Sequence, residues 1–224
     1  MMTTRAHKIE FDRRKRVVKD RETRTREIIA AARKVFLKEG YSGTTIEQIA
    51  SEAGVAKGTI YIYYEGKDDL FVSLMVPLIR SIGDGLIEIE KKLDQGEVTS
   101  CEEIVRRLLD AHFRVFLTDP EEFSIFATFQ AGFFSGISEE RLEKLHEQGR
   151  RNFGAMRRIL AKGQALGLIR GDLAVAVIAD VLWSAYFGVV LVEEGKRRIT
   201  KKDHIYGTLS QTCELLSQAI CMKP

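Results

Sequence analysis

Proline is scarce in this 224-residue chain, with three in all, cysteine is equally rare, and tryptophan occurs once. So few prolines leave long helices uninterrupted. Cys101, Cys213 and Cys221 stand far apart without a metal-ligand rhythm, and the four histidines (His7, His112, His146 and His204) never pair at ligand spacing. No metal and no cofactor are therefore expected, and a reducing cytoplasm suits this cysteine usage. The opening stretch "RAHKIEFDRRKRVVKDRETR" at 5–24 is charged, so it lacks the apolar core of a secretory signal. Strand pairs joined by a hairpin turn are also missing, while apolar residues recur every three or four positions almost throughout.

What is present is helix, nine of them by pattern. The first covers about 22–39, with Ile28, Ile29, Ala32, Val35 and Phe36 on one face and Gly40 as its stop. Nested capping boxes, Thr44 with Glu47 and Thr45 with Gln48, open the second, which Gly54 ends. A third short helix spans about 57–64. The fourth starts near Lys67 and passes Pro77, where a kink is expected, to about Leu93. Ser100 with Glu103 opens another, and Asp119, Pro120, Glu121 and Glu122 combine cap, first-turn proline and acids at the start of the next. Long helices at about 138–166 and 172–194 precede a last one at about 202–221.

Charge is uneven along this all-α chain. Residues 1–67 carry 15 Lys and Arg against 9 Asp and Glu, a net of +6, whereas 68–224 carry 20 against 23, a net of −3. A basic end on a near-neutral body suits a polyanionic partner. Residues 1–20 alone also fit a solvated basic tail.

The segment "LAVAVIADVLWSAYFGVVLV" at 173–192 is long enough to cross a bilayer, but Asp180 near its middle would cost roughly 2.5 to 3.5 kcal/mol, and no membrane partner is expected. Ala176, Asp180, Ser184 and Gly188 instead form a small-residue stripe along which another helix can approach. The last helix offers Ile205, Leu209, Thr212, Leu216 and Ile220 at helical spacing. Ala176, Ser184, Gly188, Leu209, Thr212, Leu216 and Ile220 are thus the expected contacts with a second copy of the chain.

"TTIEQIASEAGVAKGTIYIYY" at 44–64 reads as a helix-turn-helix, in which the second helix enters the DNA major groove. Val55, Ile60 and Tyr64 face inward. Lys57, Gly58, Thr59, Tyr61, Ile62 and Tyr63 face outward, supplying a phosphate charge, close backbone approach, hydroxyls and a methyl contact. The stretch through "EGKDDLF" resembles the DNA-binding signature of the TetR family of bacterial transcriptional regulators, over about residues 25–71. Tyr64 stands where the family commonly has phenylalanine. The resemblance implies a homodimer on a pseudo-palindromic double-stranded operator, usually a repressor, released by a small molecule in a C-terminal domain. It places Thr44, with Thr45 beside it, Lys57, Gly58, Thr59, Tyr61, Tyr63 and Lys67 on DNA. The expected division is a basic arm at 1–20, a three-helix DNA-binding domain at 21–66, and a helical ligand-binding and dimerisation domain at 67–224.

A second aromatic group, Phe113, Phe116, Phe123, Phe126, Phe129, Phe133 and Phe134 with Trp183, Tyr186 and Phe187, serves as ordinary core or lines the effector cavity that the family carries among its fifth to eighth helices. The expected pocket is His112, Phe113, Phe116, Phe126, Phe129, Gln130, Asp180, Trp183 and Phe187, suited to an apolar or aromatic effector. "GFFSG" at 132–136 lacks the spacing of a nucleophile elbow, and no catalytic residues are expected. The alternatives are an effector-independent activator or nucleoid-type protein, and a small helical carrier or enzyme.

Overall fold

The structure, a computed structural model, describes the backbone of residues 3–130 and 137–222, and side chains within those ranges from residue 20 onward. The "GFFSG" segment with Phe133 and Phe134 lies outside the described residues, as do the side chains of Arg13 to Arg16 and Lys19. Among the described residues the fold is all-helical. In chain order the helices are α1 (Thr3–Gly43), α2 (Ile46–Glu52), α3 (Lys57–Tyr63), α4 (Lys67–Asp94), α5 (Cys101–Thr118), α6 (Pro120–Gln130), α7 (Glu139–Ala165), α8 (Val175–Thr200) and α9 (Ile205–Ile220).

The chain divides into two compact units, Met1–Leu74 with Phe134–Arg141, and Met75–Phe133 with Leu142–Pro224. In the first, α1 begins well before the expected residue 22, and Gly40, at φ 67°, interrupts it where the sequence places its stop. Only one of the two nested capping boxes forms. Thr45 accepts from the Gln48 N–H while the Gln48 side chain accepts from the Thr45 N–H. Thr44 turns inward, 2% exposed, and donates to the Gly40 carbonyl at 2.6 Å. The small core beneath these helices is Ile28, Ala32, Ile49 and Ile60 around a ring set of Phe36, Tyr41 and Phe71, with centroids 5.3 to 6.0 Å apart. Arg141, at the start of α7, pairs with Asp69 at 3.2 Å and with Glu65, and the Ser138 N–H donates to Asp68 at 2.9 Å.

In the second unit the expected caps hold. Ser100 accepts from the Glu103 N–H at 3.1 Å, and Asp119 accepts from the Glu122 N–H at 2.9 Å. Helix α4 runs through Pro77, and α8 continues to Thr200, six residues past its expected end. Both are long and apolar enough to cross a bilayer by length and composition alone. On α8 the buried residues Ile178, Ala179, Leu182, Tyr186 and Val190 face the core. The opposite side stays open: Val177, Val181, Ser184 and Leu191 are exposed, with half-buried Gly188 between them. Their spacing of four, three, four and three puts them in one open seam along the helix.

Two expected interface residues are overturned by this packing. Leu209 and Ile220 are 8% and 6% exposed, because that side of α9 seals the unit's own core. The large outward apolar residues of α9 are Tyr206, 61% exposed, and Leu215, 65% exposed, the latter with Thr212 and Leu216 half-buried beside it. Ala176 is likewise half-buried, so the open stripe runs through its neighbour Val177. Cys101 and Cys221, expected to stand apart, are joined by a disulfide, since α9 ends beside the start of α5.

Candidate functional site

The turn between α2 and α3 is built on Gly54, at φ 65°, with the Val55 N–H donating to the Ala50 carbonyl at 2.9 Å. A side chain at Gly54 would be forced into a left-handed conformation that only glycine adopts without strain. Ile60 is fully buried and anchors α3. Tyr64 is buried too, and burial followed by the Asp69 charge pushes its phenol up to about 12. Fixing one side of α3 turns the other outward, where Lys57, Gly58, Tyr61 and Ile62 are exposed, Tyr61 at 50% and Ile62 at 73%. Thr59 and Tyr63 are half-buried on the flanks.

Gly58 has no conformational reason within the chain to be glycine. Its backbone is helical, and a Cβ built there meets nothing within 4 Å. A glycine inside a helix costs about 1 kcal/mol relative to alanine. The sequence therefore carries a destabilising residue over open space, on the outward face of a helix-turn-helix.

Lys57 is already engaged. Its ammonium donates to Glu47 on α2 and lies 5.9 Å from the Tyr61 ring centroid. The hydrogen bond between them raises the lysine pKa and lowers that of Glu47, so both stay charged. Lys67 donates to the Tyr41 carbonyl at 2.9 Å and sits 4.4 Å over the Tyr41 ring, which ties it to the core below α3. Thr44 is removed from the outward set by its burial, whereas Thr45 is exposed. Sequence reasoning missed Glu47, whose separation of ten from Lys57 becomes a contact only once the turn folds α2 against α3.

The described aromatic residues of the second unit form a continuous cluster of mostly tilted and edge-to-face rings. Trp183 has Phe126, Phe153 and Phe187 at 5.8 to 6.2 Å, and His112 at 5.1 Å. His112 is buried, bonded through Nδ1 to the Leu108 carbonyl at 2.7 Å, while its own carbonyl accepts from the Tyr186 hydroxyl at 2.8 Å. Burial drives its pKa down to about 4, the Leu108 bond opposing in part. Phe113, Phe116 and Phe126 are buried, and Phe129, Trp183 and Phe187 half-buried. Gln130 and Asp180 do not join them. Both are exposed, Gln130 at the end of α6 and Asp180 on the outer side of α8, because burying either would leave its polar group without water. A cavity of about 1200 Å³ lies instead in the cleft between α5 and α9, and it shares only Phe113 with the expected pocket.

The sequence profile of the bacterial regulatory proteins of the tetR family matches residues 28–74, the span from α1 to the first turns of α4. The HTH-type transcriptional repressor NicS of Pseudomonas putida is 32% identical over 153 residues, which are 68% of this chain and 69% of that protein. The chain belongs to the TetR family. Another relative in sequence is the fatty acid metabolism regulator protein of Bacillus subtilis, 30% identical over 102 residues, 46% of this chain and 50% of that one. In fold, the TetR-family architecture is shared with the fatty acid degradation regulator FadR of Bacillus halodurans, at a TM-score of 0.67 and 24% identity, covering 87% of this chain and 94% of that one. The helix-turn-helix described above is thus the DNA-binding unit of a transcriptional regulator.

Proposed function

We propose that this TetR-family regulator is a homodimeric repressor that holds a pseudo-palindromic operator through α3 and releases it when a small, largely apolar effector enters the second unit. Gly58 is the observation that carries the reading. An open glycine on the outward face of α3 is explained by a surface that comes against the backbone there, and DNA is what a helix-turn-helix meets. Lys57 supplies phosphate charge, Thr45 and the tyrosine hydroxyls donate to phosphate oxygens, and Thr59 and Ile62 face base edges. Lys67 serves with the donors left over from its bond to Tyr41. Work on DNA would keep the protein in the cytoplasm.

The dimer would form on the open seam of α8 with Leu215 of α9. Between these helices lies an apolar hollow of about 270 Å³, bordered by Val177, Val181, Leu216 and Ala219, which can receive a side chain of the second copy. The effector would part the rings around Trp183. That residue is the only tryptophan in the chain, so its emission reports entry directly. Long-chain acyl compounds head the ligand panel, since one relative is named for fatty acid metabolism.

The test starts from a duplex selected out of a random-sequence pool by the purified protein. Gly58→Ala is expected to raise fold stability by about 1 kcal/mol in denaturant titrations while weakening binding to that duplex. Opposite signs in the two assays support the contact, and tighter or unchanged binding removes Gly58 from it. Lys57→Ala should lower affinity for every sequence and reduce the magnitude of the salt slope by about one unit. Trp183 emission that no compound in the panel alters, with operator affinity equally indifferent, would sink the effector half of the reading.

A further inference from the structure

All three cysteines of the chain lie along the cleft between α5 and α9: Cys213 and Cys221 line it, and Cys101 is bonded to Cys221. We propose that Cys101 and Cys221 form a reversible oxidation site, addressed by small thiols and disulfides of the glutathione class. The inference rests on the DNA-regulator reading in one respect, that it places the protein in a reducing compartment. There a disulfide is a state that responds to the thiol pool rather than a fixed brace.

The bonded residues are 120 positions apart with Cα atoms at 5.5 Å, so the bond closes a loop containing α5 through α9 and leaves α4 outside it. The two sulfurs differ in access. Cys101 is buried at 4% exposure, whereas Cys221 is half-buried and borders the cleft, so an incoming thiolate reaches the Cys221 sulfur. Cys101 is then the leaving group. It is the first residue of α5, directly after the Ser100 cap, where the helix N-terminus stabilises a thiolate, although Glu102 and Glu103 in the same turn offset part of that effect. The chemistry is a two-step exchange. A small thiolate bonds to Cys221 and Cys101 departs as thiolate. A second small thiol attacks the mixed disulfide, Cys221 departs, both protein thiolates take up protons, and the two small molecules leave joined as a disulfide. Run backward, a small disulfide oxidises the pair. Cys213, two turns earlier on α9, stays out of the exchange, since burial raises its thiol pKa and keeps it protonated.

Reduction removes a cross-link without dismantling the helix end. The end of α9 is also held by backbone bonds that do not involve the disulfide: the Arg170 N–H donates to the Ile220 carbonyl at 3.0 Å, and the Met222 N–H to the Leu168 carbonyl at 3.1 Å. The oxidised state therefore stiffens α9, which carries Leu215 of the open seam, while the reduced state keeps the fold.

The experiment incubates the full-length protein in glutathione buffers of graded reduced-to-oxidised ratio, quenches with acid, alkylates with N-ethylmaleimide in denaturant and weighs the intact chain. One adduct in the oxidised range and three in the reduced range, exchanging in a single reversible step, is the expected result. The thermal midpoint should fall by about 5 to 15 °C on reduction, given the size of the closed loop. Cys101→Ser and Cys221→Ser should abolish that response and Cys213→Ser should retain it. One adduct at every ratio would make the bond permanent, and three at every ratio would mean that it does not form; either overturns the proposal. Binding to the selected duplex, followed by fluorescence anisotropy on the same samples, keeps the two readings separate. Failure to bind in both redox states counts against the DNA reading and leaves the adduct count to decide this one.

Discussion

Gly188→Leu combined with Leu215→Asp is expected to give a folded monomer whose affinity for the selected operator is lower by about 100-fold or more. Two half-sites bound by linked subunits gain at least that factor over one. The sequence alone leaves two outcomes open for a leucine at 188, a split dimer or an overpacked fold. The structure separates them. A Cβ at Gly188 meets nothing within 4 Å, so the added side chain starts into open space in the single chain and stands in the way of what approaches from outside. Leu215 is exposed, so its replacement removes little from the chain's own core, whereas a carboxylate there would be buried unpaired at the interface. Sedimentation velocity at micromolar concentration gives the oligomeric state, and the circular dichroism midpoint checks that the fold survives. A tight dimer from the double variant would place the interface away from the α8 and α9 seam.

Acid should destabilise the protein through His112 before most carboxylates titrate. The imidazole has a pKa of about 4 in the folded chain, against the ordinary value of 6.5 once unfolded. Above pH 6.5 it is neutral in both states, and the folded state pays nothing for burying it. As pH falls from 6.5 toward 4 the unfolded chain takes a proton that the folded chain refuses, so stability drops with each pH unit. The full loss is about 3 kcal/mol by pH 4. Urea titrations between pH 7.5 and 4.5 read it. His112→Gln, which keeps a group able to reach the Leu108 carbonyl, should flatten that part of the profile. Parallel profiles for the two proteins would mean that His112 does not bind its proton as a buried neutral ring does.

Local signals were readable in the sequence wherever a few adjacent residues decide the outcome. Thr45 with Gln48, Ser100 with Glu103, and glycines 40 and 54 mark helix ends because the cap or the left-handed residue is itself the cause. Of the outward set on α3, read from Val55, Ile60 and Tyr64 as inward positions, Lys57, Gly58, Tyr61 and Ile62 are exposed and Thr59 and Tyr63 half-buried. Thr44 was misread because two overlapping capping boxes compete for one helix start, and the loser folds inward. Leu209 and Ile220 were misread for a different reason. Helical spacing says that a face is apolar, but not whether the chain itself or another copy covers it. Asp180 and Gln130 were expected among the pocket's polar groups, yet the turn of the helix carries them out to water. The disulfide lay beyond reading altogether, since partners 120 residues apart are matched only by how α5 and α9 dock.

The ion pair between Glu47 and Lys57 bears on how the regulator finds its target. In the proposed contact a phosphate reaching Lys57 would have to displace a carboxylate already in place, so random DNA would gain less from the lysine than its charge suggests. On the proposed DNA contact, Glu47 would then stand in for phosphate and lower adhesion to the bulk of the genome. Correct sequence can offset the exchange through base contacts that random sequence lacks. Scanning would then be quicker, because each wrong stop would be shorter. Neutralising the carboxylate in Glu47→Gln should lengthen single-molecule dwell times on non-operator DNA more than on the operator; equal lengthening on both would show that the pair plays no part in the search.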